Sequence, residues 1–169
     1  KSIAADQWKK LSAKKIYFGH MSVGYNIIDG IKNLMKDNQS ITLNIQETTD
    51  PGNYKSGIFG HSKNGENVKP KTKVDAFVKT MESGLAKHLD IAFFKFCYVD
   101  FNKDTDVNDL FNYYKSAMVK LKKAYPNVTF VHVTSPITAE GELNSLKTKI
   151  KDLIKTILGR ETSKQHFIT

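Results

Sequence analysis

The sequence contains a single cysteine, Cys97, and no apolar run near the roughly 18 to 20 residues that a membrane-spanning helix needs. One cysteine excludes an internal disulfide framework and a metal site built from cysteines. The HExxH, P-loop and GxGxxG motifs are also absent, so metal-dependent proteolysis and nucleotide binding have no support. We therefore expect no metal, no cofactor and no membrane partner, and we interpret Cys97 as a small core residue.

The positive charge of the chain is not concentrated in one place. The formal net charge is +9, yet no block of five or more like charges occurs. Lysines recur in "KDLIK" and "VKLKKAY" at spacings that place them on the exposed faces of helices. A solvated surface is favoured over a nucleic-acid groove, so no nucleic-acid partner is expected.

The length of 169 residues suits one domain that spans residues 1–169. The first residue is Lys1 rather than methionine. This start fits a secreted or periplasmic product after removal of a signal peptide, and it fits a trimmed sequence equally well. The sequence leaves the oligomeric state open.

Strand and helix periodicities alternate along the chain, and each type of period predicts one type of element. The predicted strands are 15–19, 41–46, 90–99 and 128–134, and the predicted helices are 23–36, 71–88, 106–124 and 142–158. Residues 47–70 show no period and are predicted to form a long loop. This order predicts an α/β protein whose parallel sheet carries helices on both faces, as a three-layer α/β/α sandwich.

Polar residues follow the predicted strands at their carboxyl ends, where open parallel sheets bind ligands. Loops longer than about 12 to 15 residues are usually functional or disordered, so we favour an active-site loop for residues 47–70 over a merely mobile one. The candidates are His20, Ser22 and Gly24 after the first strand, Gly60, His61, Asn64 and Asn67 in the long loop, Tyr98 and Asp100 after the third strand, and His132 in the fourth.

Several of these residues have two interpretations. Ser22 could attack a carbonyl while free helix amides stabilise the oxyanion, with His20 as the base or an orienting group. Serine is also a common N-cap residue, and the local pattern alone favours the cap. Asp100 could equally cap its loop or orient a histidine, and it is a candidate partner for Lys95, whose charge is costly in a buried strand. His132 fits a core histidine that donates to a backbone carbonyl.

The segments "YFGHMSVGYNIIDGI", "GHSKNGEN", "DIAFFKFCYVDF" and "YPNVTFVHVTSPIT" together resemble a bacterial branch of the SGNH/GDSL hydrolase superfamily. This resemblance implies a flavodoxin-like sheet and makes Ser22 the match for the nucleophile of the family's Gly-Asp-Ser motif. It also implies Gly60 as the oxyanion-hole glycine. In the third block Asp100 is retained, while Val99 stands where the family has its oxyanion-hole asparagine.

The sequence also departs from this family in ways that bear on catalysis. Asn64 or Asn67 could replace the missing asparagine from the long loop. The family's Asp-x-x-His block, which supplies the base and its orienting acid, is absent, because His166 has Ser163 three residues before it. No fifth strand is predicted either. We therefore expect a domain that is truncated at its C-terminus relative to the family.

Three functional hypotheses follow, in order of preference. The first is a serine esterase or deacetylase that acts on an acyl ester, such as an O-acetylated carbohydrate, with Ser22 as nucleophile and His20 or another histidine as base. The second is a non-catalytic relative that binds a carbohydrate or small ligand in the same pocket. The third is a basic module that binds an acidic polymer. Catalytic candidates are Ser22, His20 and Asp100, and substrate-binding candidates are Gly24, Gly60, His61, Asn64, Asn67 and Tyr98.

Overall fold

The computed structural model describes residues 3–135, in which strands and helices alternate. The strands are β1 (Lys15–His20), β2 (Ile45–Glu47), β3 (Ile58–Lys63), β4 (Ile91–Phe94) and β5 (Thr129–Phe130). The α-helices are α1 (Ala5–Ser12), α2 (Val23–Asp37), α3 (Pro70–Glu82) and α4 (Val107–Ala124). Short 3-10 turns occupy Pro51–Asn53, Leu85–His88 and Tyr98–Asp100. None of the helices within residues 3–135 has both the length and the apolar character needed to cross a bilayer.

The five strands form one parallel sheet in the order β2-β3-β1-β4-β5. The central strand β1 pairs with β3 on one side, Lys15 opposite Ile58, and with β4 on the other, Ile16 opposite Ile91. Because all strands run the same way, their carboxyl ends lie along one edge. The predicted α/β class and the three-layer flavodoxin-like architecture are confirmed.

Side chains of β1 alternate between the two faces of the sheet, and each face is covered by helices. Ile16 and Phe18 pack with Ile28 of α2 on one face. Tyr17 packs on the other face against α3 and α4, through residues such as Phe77 and Leu121. Each large apolar side chain that is fully buried contributes about 1.5–3 kcal/mol. The strand ends are thereby held by a core on both sides.

The structure corrects the predicted elements in one important place. Residues 47–70 are not one irregular loop, because they contain the interior strand β3 (Ile58–Lys63) between β1 and β2. The sheet therefore has the fifth strand that the sequence pattern did not reveal. The predicted helix 71–88 also ends at Glu82, and Gly84 with a φ of 107° separates it from the 3-10 turn. The predicted helix 142–158, His166 and Ser163 lie outside the described residues.

Candidate active site

The carboxyl ends of three neighbouring strands bring polar side chains together on the α2 side of the sheet. His20 ends β1, His61 lies in β3, and Glu47 ends β2 in register with His61. His61 is also in register with Phe18 of β1. His20 follows Phe18 by two residues in β1, and His61 follows the buried Phe59 by two residues in β3. Each histidine therefore lies on the same face of the sheet as the phenylalanine before it, and closer to the carboxyl edge.

The two histidines are buried and joined by a hydrogen bond of 3.0 Å between His20 Nε2 and His61 Nδ1. The ring of Tyr25 stands edge-on to His20, at 4.7 Å between centroids, and its hydroxyl donates to Glu47 Oε1 at 2.8 Å. Burial lowers the pKa of His20 to about 4, assisted by the charge of Lys95 and by the charge that His61 carries when it is protonated, with Glu47 opposing. Burial also lowers the pKa of His61. Both rings are therefore neutral at neutral pH, and one donates while the other accepts.

Ser22 occupies a strained backbone conformation between β1 and α2. Its φ is 46° and its ψ is −107°, in a region that non-glycine residues rarely adopt. Such a conformation costs about 1–3 kcal/mol and clusters at functional sites. The residue is exposed, and its side chain makes no cap hydrogen bond to α2. Ser22 therefore stands at the N-cap position without performing the capping role that the local pattern favours.

Gly24 allows the first turn of α2 to pass directly over His20. A Cβ at this position would overlap the Cβ and ring atoms of His20, including Nδ1. A strained serine after a strand, followed two residues later by a glycine at a close helix–strand contact, has the geometry of a nucleophile elbow. In this chain His20 stands where such elbows have their first glycine.

Replacing Gly24 with alanine is expected to destabilise the protein by about 1–3 kcal/mol, because the new methyl group overlaps His20. Gly30→Ala is the matched control in the same helix, since nothing lies within 4 Å of its added Cβ. That control should stabilise by about 0.5–1 kcal/mol through helix propensity. Urea denaturation measures both, and a stability gain in both variants would contradict the contact.

One backbone donor beside Ser22 is free to bind an anion. In the first turn of α2, Gly24 N–H donates to Met21 O at 3.0 Å and Tyr25 N–H donates to Ser22 O at 2.9 Å. Val23 N–H, the first amide of α2, has no hydrogen-bond partner among residues 3–135. It lies at the positive end of the helix dipole, where an oxyanion is stabilised.

Asp100 lies in a separate buried network on the other side of β1. Its carboxylate forms an ion pair with Lys73 and accepts the N–H groups of Cys97 at 2.6 Å and Val68 at 3.0 Å. Of the two predicted roles, the structure thus shows the loop cap, and Asp100 orients neither His20 nor His61. Lys95 is not paired with it either. Its Nζ donates to Phe96 O at 3.3 Å.

The remaining predicted binding residues fall into two groups. Gly60 lies inside β3, paired on both sides, and the Tyr54 hydroxyl occupies the space where its Cβ would be. This position is within the sheet and not in a loop, so it differs from that of an oxyanion-hole glycine. Asn64 Nδ2 donates to Lys73 O at 2.9 Å, and Asn67 Oδ1 accepts from Lys73 Nζ at 3.0 Å. The side-chain amides of Asn64 and Asn67 therefore hold the loop after β3 in place. Tyr98 differs from these residues because it is exposed.

His132 also departs from its predicted environment. Its side chain is exposed, and its Nδ1 is 2.6 Å from the hydroxyl of Tyr114 in α4. It is therefore not a core histidine bonded to a backbone carbonyl. Within residues 3–135, no three His, Cys, Asp or Glu side chains are grouped closely enough to hold a metal ion.

The sequence reasoning missed Tyr25, Glu47 and Val23 as members of the site. Tyr25 lies one helical turn after Ser22, which places both near the same end of α2. Glu47 continues the alternation of Ile45 along β2, and this signal could have placed it at the strand end. Its neighbour His61 was predicted at this edge as part of the loop 47–70, but its position opposite Phe18 could be found only by recognising β3 as a strand.

The fold and the site define an open parallel α/β protein with a strained, exposed serine and a neutral histidine pair at the carboxyl edge of its sheet. No protein-family model matches the chain, and no curated protein or solved structure is significantly similar to it.

Proposed function

We propose that the protein is a serine acyl hydrolase acting on ester bonds, with Ser22 as the nucleophile. The observation that carries this proposal is the strained, exposed turn of Ser22 directly between β1 and α2. The free Val23 amide and the neutral His20 beside the same turn support it. The resemblance to SGNH hydrolases agrees with the choice of serine, and an O-acetylated carbohydrate is the narrower substrate proposal.

In the proposed mechanism, Ser22 Oγ attacks the ester carbonyl carbon and its proton passes to His20. Val23 N–H donates to the oxyanion of the tetrahedral intermediate. The proton then passes from His20 to the departing alcohol, which leaves an acyl group on Ser22. Water, deprotonated by His20, releases the acid and restores the serine.

His20 Nδ1 is the atom best suited to accept the serine proton. It is buried without a hydrogen-bond partner within the described residues, while Nε2 is engaged by His61. When Nε2–H donates to His61, the lone pair of His20 lies on Nδ1. The Ser22 side chain makes no cap hydrogen bond to α2. In the proposed mechanism its Oγ meets the base when substrate binds, since catalytic hydrogen bonds often tighten only in the substrate complex.

A fluorophosphonate probe is expected to label the folded protein on Ser22 alone, because the reagent reports an activated serine. Intact-mass and peptide mass spectrometry locate the adduct. Ser22→Ala should abolish labelling. Ser62→Ala is the matched control and should keep it, since the Ser62 hydroxyl is already bonded to the Tyr17 hydroxyl at 2.7 Å. Folded protein that stays unlabelled, or that is labelled on another serine, would refute the proposal.

Non-catalytic ligand binding is the second candidate function, and the missing contact between Ser22 and a histidine favours it. In that case a carbohydrate ester should raise the Tm of the Ser22→Ala variant as much as it raises the Tm of the parent protein. The fluorophosphonate probe should not label the parent protein.

A further inference from the structure

The hydrogen bond between His20 and His61 can run in two directions, and only one of them leaves His20 able to act as a base. Either His20 Nε2–H donates to His61 Nδ1, or His61 Nδ1–H donates to His20 Nε2. The first direction leaves a lone pair on His20 Nδ1, whereas the second places a proton there. The direction of this bond therefore decides whether His20 can accept the proton of Ser22.

The surroundings of His20 Nδ1 favour the lone pair. This atom is buried and has no hydrogen-bond partner within the described residues, so no neighbouring acceptor draws a proton to it. A Cβ added to Gly24 would overlap it, so it lies directly against the first turn of α2. The N-terminus of a helix carries a partial positive charge. That charge attracts a lone pair on Nδ1 and repels a proton there.

The surroundings of His61 favour the same direction. Because β3 lies between β1 and β2, His61 has His20 on one side and Glu47, its register partner, on the other. When His61 Nδ1 accepts from His20, the proton of His61 is on Nε2, where the negative carboxylate attracts it. Burial lowers the pKa of His61, and among the charges around the ring Glu47 raises it more than Lys32 lowers it. The carboxylate therefore outweighs the lysine at this ring.

Tyr25 holds Glu47 beside the two histidines. Its hydroxyl donates to Glu47 Oε1 at 2.8 Å, and its ring centroid lies 4.7 Å from that of His20 and 6.2 Å from that of His61. Tyr25 thus reaches from α2 across both imidazole rings to the end of β2. Its hydrogen bond keeps the carboxylate on the β2 side of His61.

We propose that Glu47 and His61 are positioning residues that fix the direction of this bond, so that His20 Nε2–H donates to His61 and His20 Nδ1 is free to take the proton of Ser22. The inference rests on the proposed hydrolysis for its role in turnover, and on the cluster alone for the position of the protons. A second histidine then takes the place that a carboxylate has beside the base in a serine triad. When His20 takes up the serine proton, its bond to His61 becomes charge-assisted and therefore stronger.

Histidine-selective 15N labelling of the full chain locates these protons. Long-range 1H–15N NMR at pH 7.5 distinguishes protonated from unprotonated ring nitrogens, and His20→Asn and His61→Asn assign the signals. We expect the proton on Nε2 and the lone pair on Nδ1 in both rings. In Glu47→Gln the opposite tautomer of His20 should become about threefold to tenfold more populated, since an exposed charge acts partly through solvent. Glu82→Gln is the matched control and should change neither ring, because this exposed carboxylate ends α3 on the opposite face of the sheet.

Two substitutions of His61 with nearly the same shape test its positioning role in the labelling reaction. Asparagine and leucine differ little in size, but only the asparagine amide oxygen can accept from His20 Nε2–H. Fluorophosphonate labelling of Ser22 should slow by less than about threefold in His61→Asn and by about 100-fold in His61→Leu. A role in packing alone would make the two variants alike, or would favour leucine at this buried position.

The outcomes separate this inference from the proposed function. A proton on His20 Nδ1 in the parent protein, or equal labelling rates in His61→Asn and His61→Leu, overturns the positioning role even when Ser22 is labelled. An unchanged His20 tautomer in Glu47→Gln overturns the role of Glu47. Protons on Nε2 of both rings, with the expected change in Glu47→Gln but without any serine labelling, support the arrangement and refute the hydrolase. If His61→Leu does not fold, the NMR measurement on the parent protein decides alone.

Discussion

Lys73→Met is expected to lower the free energy of unfolding by about 3–5 kcal/mol, because it leaves the carboxylate of Asp100 buried without its cation. Both side chains of this pair are completely buried. Methionine has a similar length, so packing is largely retained and the lost charge dominates the effect. Urea denaturation measures the change, and a loss below about 1 kcal/mol would show that the pair contributes little.

Lys95→Met is the matched control, because Lys95 is the other buried lysine of residues 3–135. It is 2% exposed, yet no carboxylate lies within ion-pair distance of it in this part of the chain. Burial lowers the pKa of its amine, which shows that the charged form is unfavourable there. Removing it should therefore leave stability unchanged or raise it. A lower free energy of unfolding in Lys73→Met and a higher one in Lys95→Met would show that the ion pair decides the effect of removing a buried lysine.

Removing both partners should restore only part of the lost stability. Lys73→Met combined with Asp100→Leu leaves no buried charge, which favours the double variant over Lys73→Met alone. Asp100 also accepts two backbone N–H groups, from Cys97 and Val68, and these donors lose their acceptor. The same substitutions should free the loop after β3, so the positive φ of 67° that Val68 adopts there should be lost with the pair.

Much of the fold could be predicted because strand and helix periods alternate along the chain. The strand β3 was missed because two glycines flank its apolar residues and read as loop signals. In the structure, Gly57 lies against Ser12 O and Gly60 against the Tyr54 hydroxyl, at positions where a Cβ would overlap. These glycines permit close packing of other groups on the sheet rather than a change of direction. A local pattern does not distinguish these two uses of glycine.

The candidate site was predictable to the extent that topology places residues at strand ends. That rule brought Ser22, His20 and His61 to one edge before any coordinates were known. The hydrogen bond between the two histidines depends on the register of β3, which the sequence pattern did not supply. The pairing of Lys73 with Asp100 joins residues from a helix and a distant turn, so no local period could indicate it.

Acidification is expected to destabilise the protein between pH 6.5 and about 4, by up to about 3 kcal/mol through His20 alone. In the unfolded chain His20 takes up a proton near its ordinary pKa of 6.5, whereas in the folded protein its pKa is about 4. The unfolded state therefore binds more protons in this interval, so stability is complete above pH 6.5 and falls as the pH is lowered. His61 acts in the same direction, because its pKa is also lowered.

Urea denaturation from pH 7.5 to 4.5 measures this dependence. His20→Asn should make the free energy of unfolding depend less steeply on pH. His88→Gln should leave this dependence unchanged, because the His88 side chain is exposed. Lys95→Met should make the total loss of stability on acidification smaller, because the charge of Lys95 helps to keep the pKa of His20 low and its removal brings that pKa closer to 6.5. If the stability of His20→Asn falls with decreasing pH as steeply as that of the parent protein, other groups cause the acid sensitivity. For the proposed mechanism, the same shift means that His20 remains neutral down to about pH 4. The proposed ester hydrolysis should therefore decline on acidification with the loss of folded protein, and not with a titration near pH 6.5.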